Sequence, residues 1–375
     1  MGGIYLHIPY CRQACHYCNF HFSTTLKSIP ELVQALAREL TLRQSYLQGP
    51  VATIYLGGGT PSLLADEQLA LLLAKIRALF TVDAEAEITL EVNPEDVSAE
   101  RAVMWRRLGF NRISLGVQSF DDRVLPLLNR AHSDRQAIEA VHLLAAAGFD
   151  NLSVDLIYGI PGQDSRQWQR NLEQALALPI RHLSCYALTI EERTTWGHWQ
   201  RQGRLKAVSE ATYEAEYHTM CAMLAQAGFE HYEVSNFARP GYRSRHNQAY
   251  WHGAPYLGAG PGAHSYNGSS RQANIANNAI YIRQLSRGLV PATTEHLNKE
   301  QRYYEYLLTG LRTDRGIDWS LIEHTFSIAV QPHEAFLKRC VEQGLAKRQN
   351  DKFVLTESGW LLADSIIVEL MNDKK

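Results

Sequence analysis

The sequence predicts an α/β protein: a partial (βα)6-type barrel followed by a winged-helix-like α+β module. Three observations carry that expectation. Short β-branched and aromatic stretches alternate with helix-length segments six times over, and serial βα units imply a parallel sheet with helices outside it. From about Asn236 to Tyr266 this rhythm gives way to a Gly-, Pro- and aromatic-rich run. From Asn298 a helical segment ends in a hairpin pattern. The expected organisation is a barrel over 1–235, an extension over 236–297 and a C-terminal module over 298–375.

The strands are expected at 4–8, 52–56, 87–92, 112–117, 152–157 and 182–188, from their β-branched and aromatic content. Helices are expected at 28–44, 69–80, 135–147 and 166–178, where apolar residues recur at helical spacing. Gly148 and Gly228 are placed to cap the fourth and sixth helices, since glycine tolerates the left-handed turn that ends a helix. Near the C-terminus, Gln349, Asn350 and Asp351 separate two short strands, which gives a wing-like hairpin. Basic and acidic residues nearly cancel over 296–375. The module therefore lacks the electrostatic footprint of a DNA-binding winged helix and is expected to serve as an interaction or lid module.

At 375 residues, with 45% hydrophobic and 20% charged residues and a formal charge of -2, the composition is that of a globular chain of two or three domains. Nucleic acid is not an expected partner. No apolar run approaches a membrane span, because Lys75 and Arg77 interrupt the longest of them. The first ten residues carry no export signal, and Leu6 stands where a myristoylation signal needs Ser or Thr. A cytoplasmic location is expected.

Of six cysteines, three fall within eight positions as Cys11, Cys15 and Cys18. Clustered thiols in a chain without an export signal point to metal rather than disulfides. Cys185, Cys221 and Cys340 are expected to be small buried hydrophobes. The C-x3-C-x2-C loop, with His16 or His21 as a fourth ligand, fits structural zinc; alternatively it holds a [4Fe-4S] cluster on three thiolates. Gly57, Gly58, Gly59, Thr60 and Pro61 follow the second strand directly. The run lacks the Lys of a phosphate-binding P-loop and the third Gly of a dinucleotide fingerprint, leaving a tight turn that a small ligand can approach closely. Glu91, Gln118, Arg130 and Asp155 fall at the C-terminal ends of later strands, at the expected barrel mouth. Such a set suits a ligand with an ammonium, a carboxylate, a ribose and a sulfonium, although Arg130 reads equally well as a salt-bridge residue.

The cysteine spacing after the first strand, with Tyr17 between the second and third thiols, resembles the radical S-adenosylmethionine (SAM) superfamily. YLHIPYCRQACHYCNF, LGGGTPS, EVNPE, SLGVQSF, LLNRAH, VDLIYGIPGQ and HNQAYW together resemble the HemW family of heme chaperones over essentially the whole chain. That resemblance implies a [4Fe-4S] cluster on Cys11, Cys15 and Cys18. It implies a SAM pocket of Tyr5, Tyr17, Gly58, Gly59, Thr60, Glu91, Gln118, Arg130, Asp155 and Ala187. His246, Asn247, Tyr250 and Trp251 match the HNxxYW signature, and there the imidazole and rings are expected to meet heme, with an unidentified heme-acceptor protein as partner. Without the resemblance, a lone His among aromatics reads as hydrogen-bonded core. The related oxygen-independent coproporphyrinogen III oxidases carry a fourth cysteine two places after the third and a long N-terminal extension. Here Asn19 and Phe20 follow Cys18 and four residues precede Tyr5, so the chaperone is expected over the oxidase. Radical SAM modification of RNA is disfavoured by the near-neutral charge.

Overall fold

Along the first six strands, residues alternate between apolar side chains facing helices and polar or aromatic ones facing inward, and this two-residue period bends the sheet around a polar interior. The computed structural model describes residues 2–372. Six βα units come first: β1 (Gly2–Ile8), α1 (Ile29–Leu42), β2 (Val51–Gly58), α2 (Asp66–Leu79), β3 (Val82–Val92), α3 (Ala99–Leu108), β4 (Arg112–Gln118), α4 (Asp134–Ala146), β5 (Asn151–Tyr158), α5 (Ser165–Leu176) and β6 (His182–Ala187), completed by α6 (Thr195–Arg201) and α7 (Glu210–Gln226). The extra helix α6 was not foreseen. Gly228, at φ +79°, therefore follows the seventh helix rather than the sixth, while Gly148, at φ +91°, follows the fourth as expected.

β1 to β6 pair in parallel in sequence order. Ile4, Leu6, Ile54, Leu56, Ile113, Leu115, Val154 and Leu156 face the helices and are buried. The intervening Tyr5, His7, Tyr55, Glu91, Ser114 and Asp155 face the interior, where they line a cavity.

The chain then adds β7 (Glu230–Glu233), β8 (Asn236–Ala238), α8 (Arg245–Trp251), β9 (Tyr256–Ala259), β10 (His264–Tyr266), β11 (Ser270–Asn274), α9 (Asn278–Ser286) and β12 (Ala292–His296). These strands extend the barrel sheet at both edges, in the order β12-β11-β10-β9-β1-β2-β3-β4-β5-β6-β8-β7. The boundary expected at 235/236 falls in the β7–β8 hairpin, and β9 joins β1 in parallel. Segment 236–297 therefore shares the barrel's sheet.

The C-terminal module comprises α10 (Lys299–Gly310), β13 (Ile317–Asp318), α11 (Trp319–Phe326), α12 (Glu334–Glu342), β14 (Ala346–Gln349), β15 (Lys352–Leu355), α13 (Glu357–Leu361) and α14 (Ala363–Asn372). Its own core gathers Leu307, Trp319, Ile322, Leu337, Phe353 and Ile367, separate from the barrel core. The wing turns at Asn350, which takes a left-handed φ of +55°. Among the described residues no helix is long and apolar enough to cross a membrane.

Candidate cofactor and ligand site

The cysteine loop leaves the C-terminal end of β1 and is closed on itself by backbone bonds, from Cys11 N–H to Ser23 O at 3.1 Å and from Ser23 N–H to Pro9 O at 2.8 Å. The segment after β4 braces it. Asn129 Nδ2 donates to Ala14 O at 2.7 Å, and Arg130 Nη1 reaches Cys15 Sγ at 3.4 Å. Cys11, Cys15 and Cys18 are all half-buried at the cavity edge. Burial pushes the Cys11 thiol up to about 11 and raises Cys18 as well, so as free thiols both stay protonated at neutral pH.

His16 and His21 do not complete a zinc site with these thiols. His16 Nδ1 meets Leu127 O at 3.0 Å, and His21 Nε2 meets Asn278 Oδ1 at 2.7 Å. Among the described residues, the one group of His, Cys, Asp or Glu with ligand atoms within 4.8 Å of one another lies elsewhere. A loop offering three thiols spread around a cation suits a cluster, whose thiolates attach to different iron atoms, better than a single ion.

Above the strand ends opens a cavity of about 990 Å³. Every residue expected at the site lines it except Trp251. Trp251 is half-buried and bonds instead to Glu233, a buried carboxyl pushed up to about 7 mainly by desolvation. Glu91 accepts from Tyr55 Oη at 2.8 Å and from Gly58 N–H at 3.0 Å. Burial, reinforced by the nearby Asp155 carboxylate, pushes Glu91 up to about 7. Ser114 Oγ donates to both Asp155 oxygens, at 3.2 and 3.3 Å.

Arg130 is held on several sides: Nη2 donates to Asn93 Oδ1 and Gly116 O, each at 2.7 Å, and Nε is buried with no partner. It serves as a brace between the cysteine loop and the strand ends. Gly58 takes φ +112°, and a Cβ there would lie 2.5 Å from the His7 ring. At Gly59 a Cβ would lie 2.7 Å from Tyr10 O and 2.8 Å from Ile8 O. The glycine therefore lets β2 approach the backbone of the cysteine loop, in addition to bordering the cavity.

His246 lies deep in the barrel. It sits beside Gly3 and Thr53, about 16 Å below the top of β1 at the usual rise per strand residue. Both ring nitrogens are engaged, Nδ1 with Thr53 Oγ1 at 2.7 Å and Nε2 with Tyr250 Oη at 2.8 Å, and its N–H donates to Glu87. Burial pushes the imidazole down to about 3 and keeps it neutral. The structure thus places His246 as hydrogen-bonded core, with no nitrogen free for a heme iron. Sequence reading missed Tyr55, Ser114, Tyr186 and His264, all of which line the cavity. The signal for the first three was the polar phase of the strand alternation. For His264 there was none, because its strand is three residues long.

A partial parallel barrel with three thiols on its first loop and a cavity over its strand ends is the architecture of the radical SAM superfamily, whose sequence pattern matches residues 5–175. Residues 297–362 match the HemN C-terminal domain. The chain belongs to the HemW family. It is 37% identical over 375 residues to the heme chaperone HemW of Mycobacterium tuberculosis, covering 98% of this chain and 94% of that protein. It is 39% identical over 265 residues to the heme chaperone HemW of Escherichia coli, covering 70% of this chain and 69% of that protein. The fold also matches the solved structure of E. coli coproporphyrinogen III oxidase (HemN) with a TM-score of 0.84, over 99% of this chain and 90% of that one, at 24% identity.

Proposed function

We propose that this protein holds a [4Fe-4S] cluster on Cys11, Cys15 and Cys18, binds SAM against the strand ends, and carries heme for transfer to an acceptor protein. The observation that carries the choice of chaperone over oxidase is Phe20. It occupies the position of the oxidases' fourth cysteine, lines the cavity and is 67% exposed, offering an apolar ring in place of a thiol. When bound, the cluster supplies one-electron reduction to a sulfonium ligand. The chain's own residues then bind and orient. Glu91 and Asp155 present acceptors to a cation and to hydroxyls, Gly58 and Gly59 leave the strand end open, and Arg130 fixes the loop.

For heme, the cavity offers four imidazoles: His7, His21, His246 and His264. His7 is bound to Tyr5 Oη at 3.0 Å and His21 O at 3.1 Å, and His21 and His246 are bound as described. His264 is exposed on the wall formed by β10 and β11, opposite Ala273, and lines the cavity as Tyr256 does. His264 is therefore the iron ligand in this reading, with Tyr250 and Tyr256 as flanking rings.

The test is heme titration of the purified chain. We expect about one heme per chain and a Soret band that His264→Ala shifts or weakens, with the iron–sulfur absorbance retained. His246→Ala serves as the comparison. If it alone abolishes the band, the ligand is His246 and the core must open to admit heme. Coproporphyrinogen III with SAM and reductant should yield no protoporphyrinogen. Decarboxylation without saturable heme binding would restore the oxidase.

A further inference from the structure

Outside the cavity, Cys221 of α7, His231 of β7 and Glu357 of α13 converge where the barrel meets the C-terminal module. Cys221 Sγ lies 3.8 Å from His231 Nδ1, which lies 3.8 Å from Glu357 Oε1, and all three ligand atoms are within 4.8 Å of one another. The nitrogen-to-carboxylate distance is too long for a hydrogen bond. Tetrahedral zinc bonds of about 2.3 Å to sulfur and about 2.0 Å to nitrogen place those two atoms about 3.5 Å apart, close to what is found.

The imidazole is held in place. Its ring stacks on Phe237 with centroids 3.9 Å apart and meets the edge of Trp360 at 4.4 Å. Cys221 is buried and the His231 side chain is only 7% exposed, whereas the Glu357 side chain is 48% exposed, which leaves an entry path and a solvent-facing fourth position. The surrounding seam is already joined: Tyr217 Oη donates to Glu357 O at 3.0 Å, and Val234 N–H donates to Arg312 O at 2.9 Å.

We propose that Cys221, His231 and Glu357 form a second metal site, for a borderline-soft divalent ion of the zinc class, that clasps the barrel to the C-terminal module. The donor set of one thiolate, one imidazole and one carboxylate suits such an ion and not calcium or magnesium, which take oxygen ligands. Two ligands come from the barrel and one from the module, so the ion would tie the two together and stabilise their packing. The site is independent of the cavity and of any reading of its cofactors.

The test uses the full chain with Cys11, Cys15 and Cys18 changed to Ser, so that the cluster thiols cannot hold metal. After equilibration with zinc and desalting, we expect about one zinc per chain, and Co(II) in its place should give a sulfur-to-cobalt charge-transfer band. Adding Cys221→Ser or Glu357→Gln should lower retained zinc by tenfold or more, whereas Cys340→Ser, which removes a different buried thiol, should not. Zinc should also raise the unfolding midpoint of the parent chain and leave that of the Cys221→Ser chain unchanged. No zinc retained by the parent, or equal retention with Cys221→Ser, would overturn the proposal. Glu357 is half exposed, so its variant reports on the site even where the cysteine variant folds poorly.

Discussion

Glu91→Gln tests whether the cavity wall carries an ionisation cost that the fold must bear. The carboxyl is held at about 7 against an ordinary value of 4.5. At roughly 1.36 kcal/mol per pKa unit that is about 3 kcal/mol, and cavity water around a partly exposed carboxylate reduces it to about 2 kcal/mol. The folded protein keeps a proton that the unfolded chain releases between pH 4.5 and pH 7, so stability falls as pH rises through that window. Above it the full cost is present; below it there is none. Gln removes the titration while preserving the contacts, because its oxygen accepts from Gly58 N–H and its amide donates to Tyr55 Oη, whose hydroxyl rotates. The variant should therefore be more stable than the parent by about 2 kcal/mol near pH 8, with the gap closing toward about pH 5. Glu233 and His246 titrate in both proteins and cancel in the difference. Urea midpoints of cluster-free protein, followed by tryptophan fluorescence across that range, give the measurement. A difference that does not change with pH, or a variant less stable near pH 8, would refute the reasoning.

Gly59→Val should lower both iron loading and stability, the latter by about 1–3 kcal/mol, because the new side chain meets the backbone at Tyr10 and Ile8, which has no room to yield. Normal iron content would show that the strand and loop part without harm. Asp155→Ala should weaken SAM binding by roughly 10- to 100-fold, the worth of one charged hydrogen bond, without loss of cluster; calorimetry showing unchanged affinity would place SAM elsewhere. Serine at Cys11, Cys15 or Cys18 should abolish iron–sulfur absorbance after anaerobic reconstitution. Stoichiometric zinc in place of iron at those thiols in the unaltered protein would overturn the cluster.

Local pattern determined much of this protein. The βα alternation, the cysteine spacing, the glycine turn after β2 and the Asn350 wing are each written in consecutive residues, because a strand, a cap or a turn is decided by side chains within a few positions of one another. The polar phase of the strands is equally local: Glu91 and Asp155 are legible in it, and Tyr55, Ser114 and Tyr186 share it. The tertiary structure decided what depends on residues far apart in sequence. His246 reads as a ligand in a motif, but Thr53 and Glu87, 193 and 159 residues away, take up its ring and N–H. Arg130 reads equally as a ligand contact or a salt-bridge residue; its bonds to Cys15, Asn93 and Gly116 make it a brace at the cavity wall. Cys221, His231 and Glu357 read as unrelated residues until the C-terminal module folds back onto α7 and β7. A hydrogen-bonding group engages whichever partner the fold brings within about 3 Å, and separation along the chain says nothing about which one that will be.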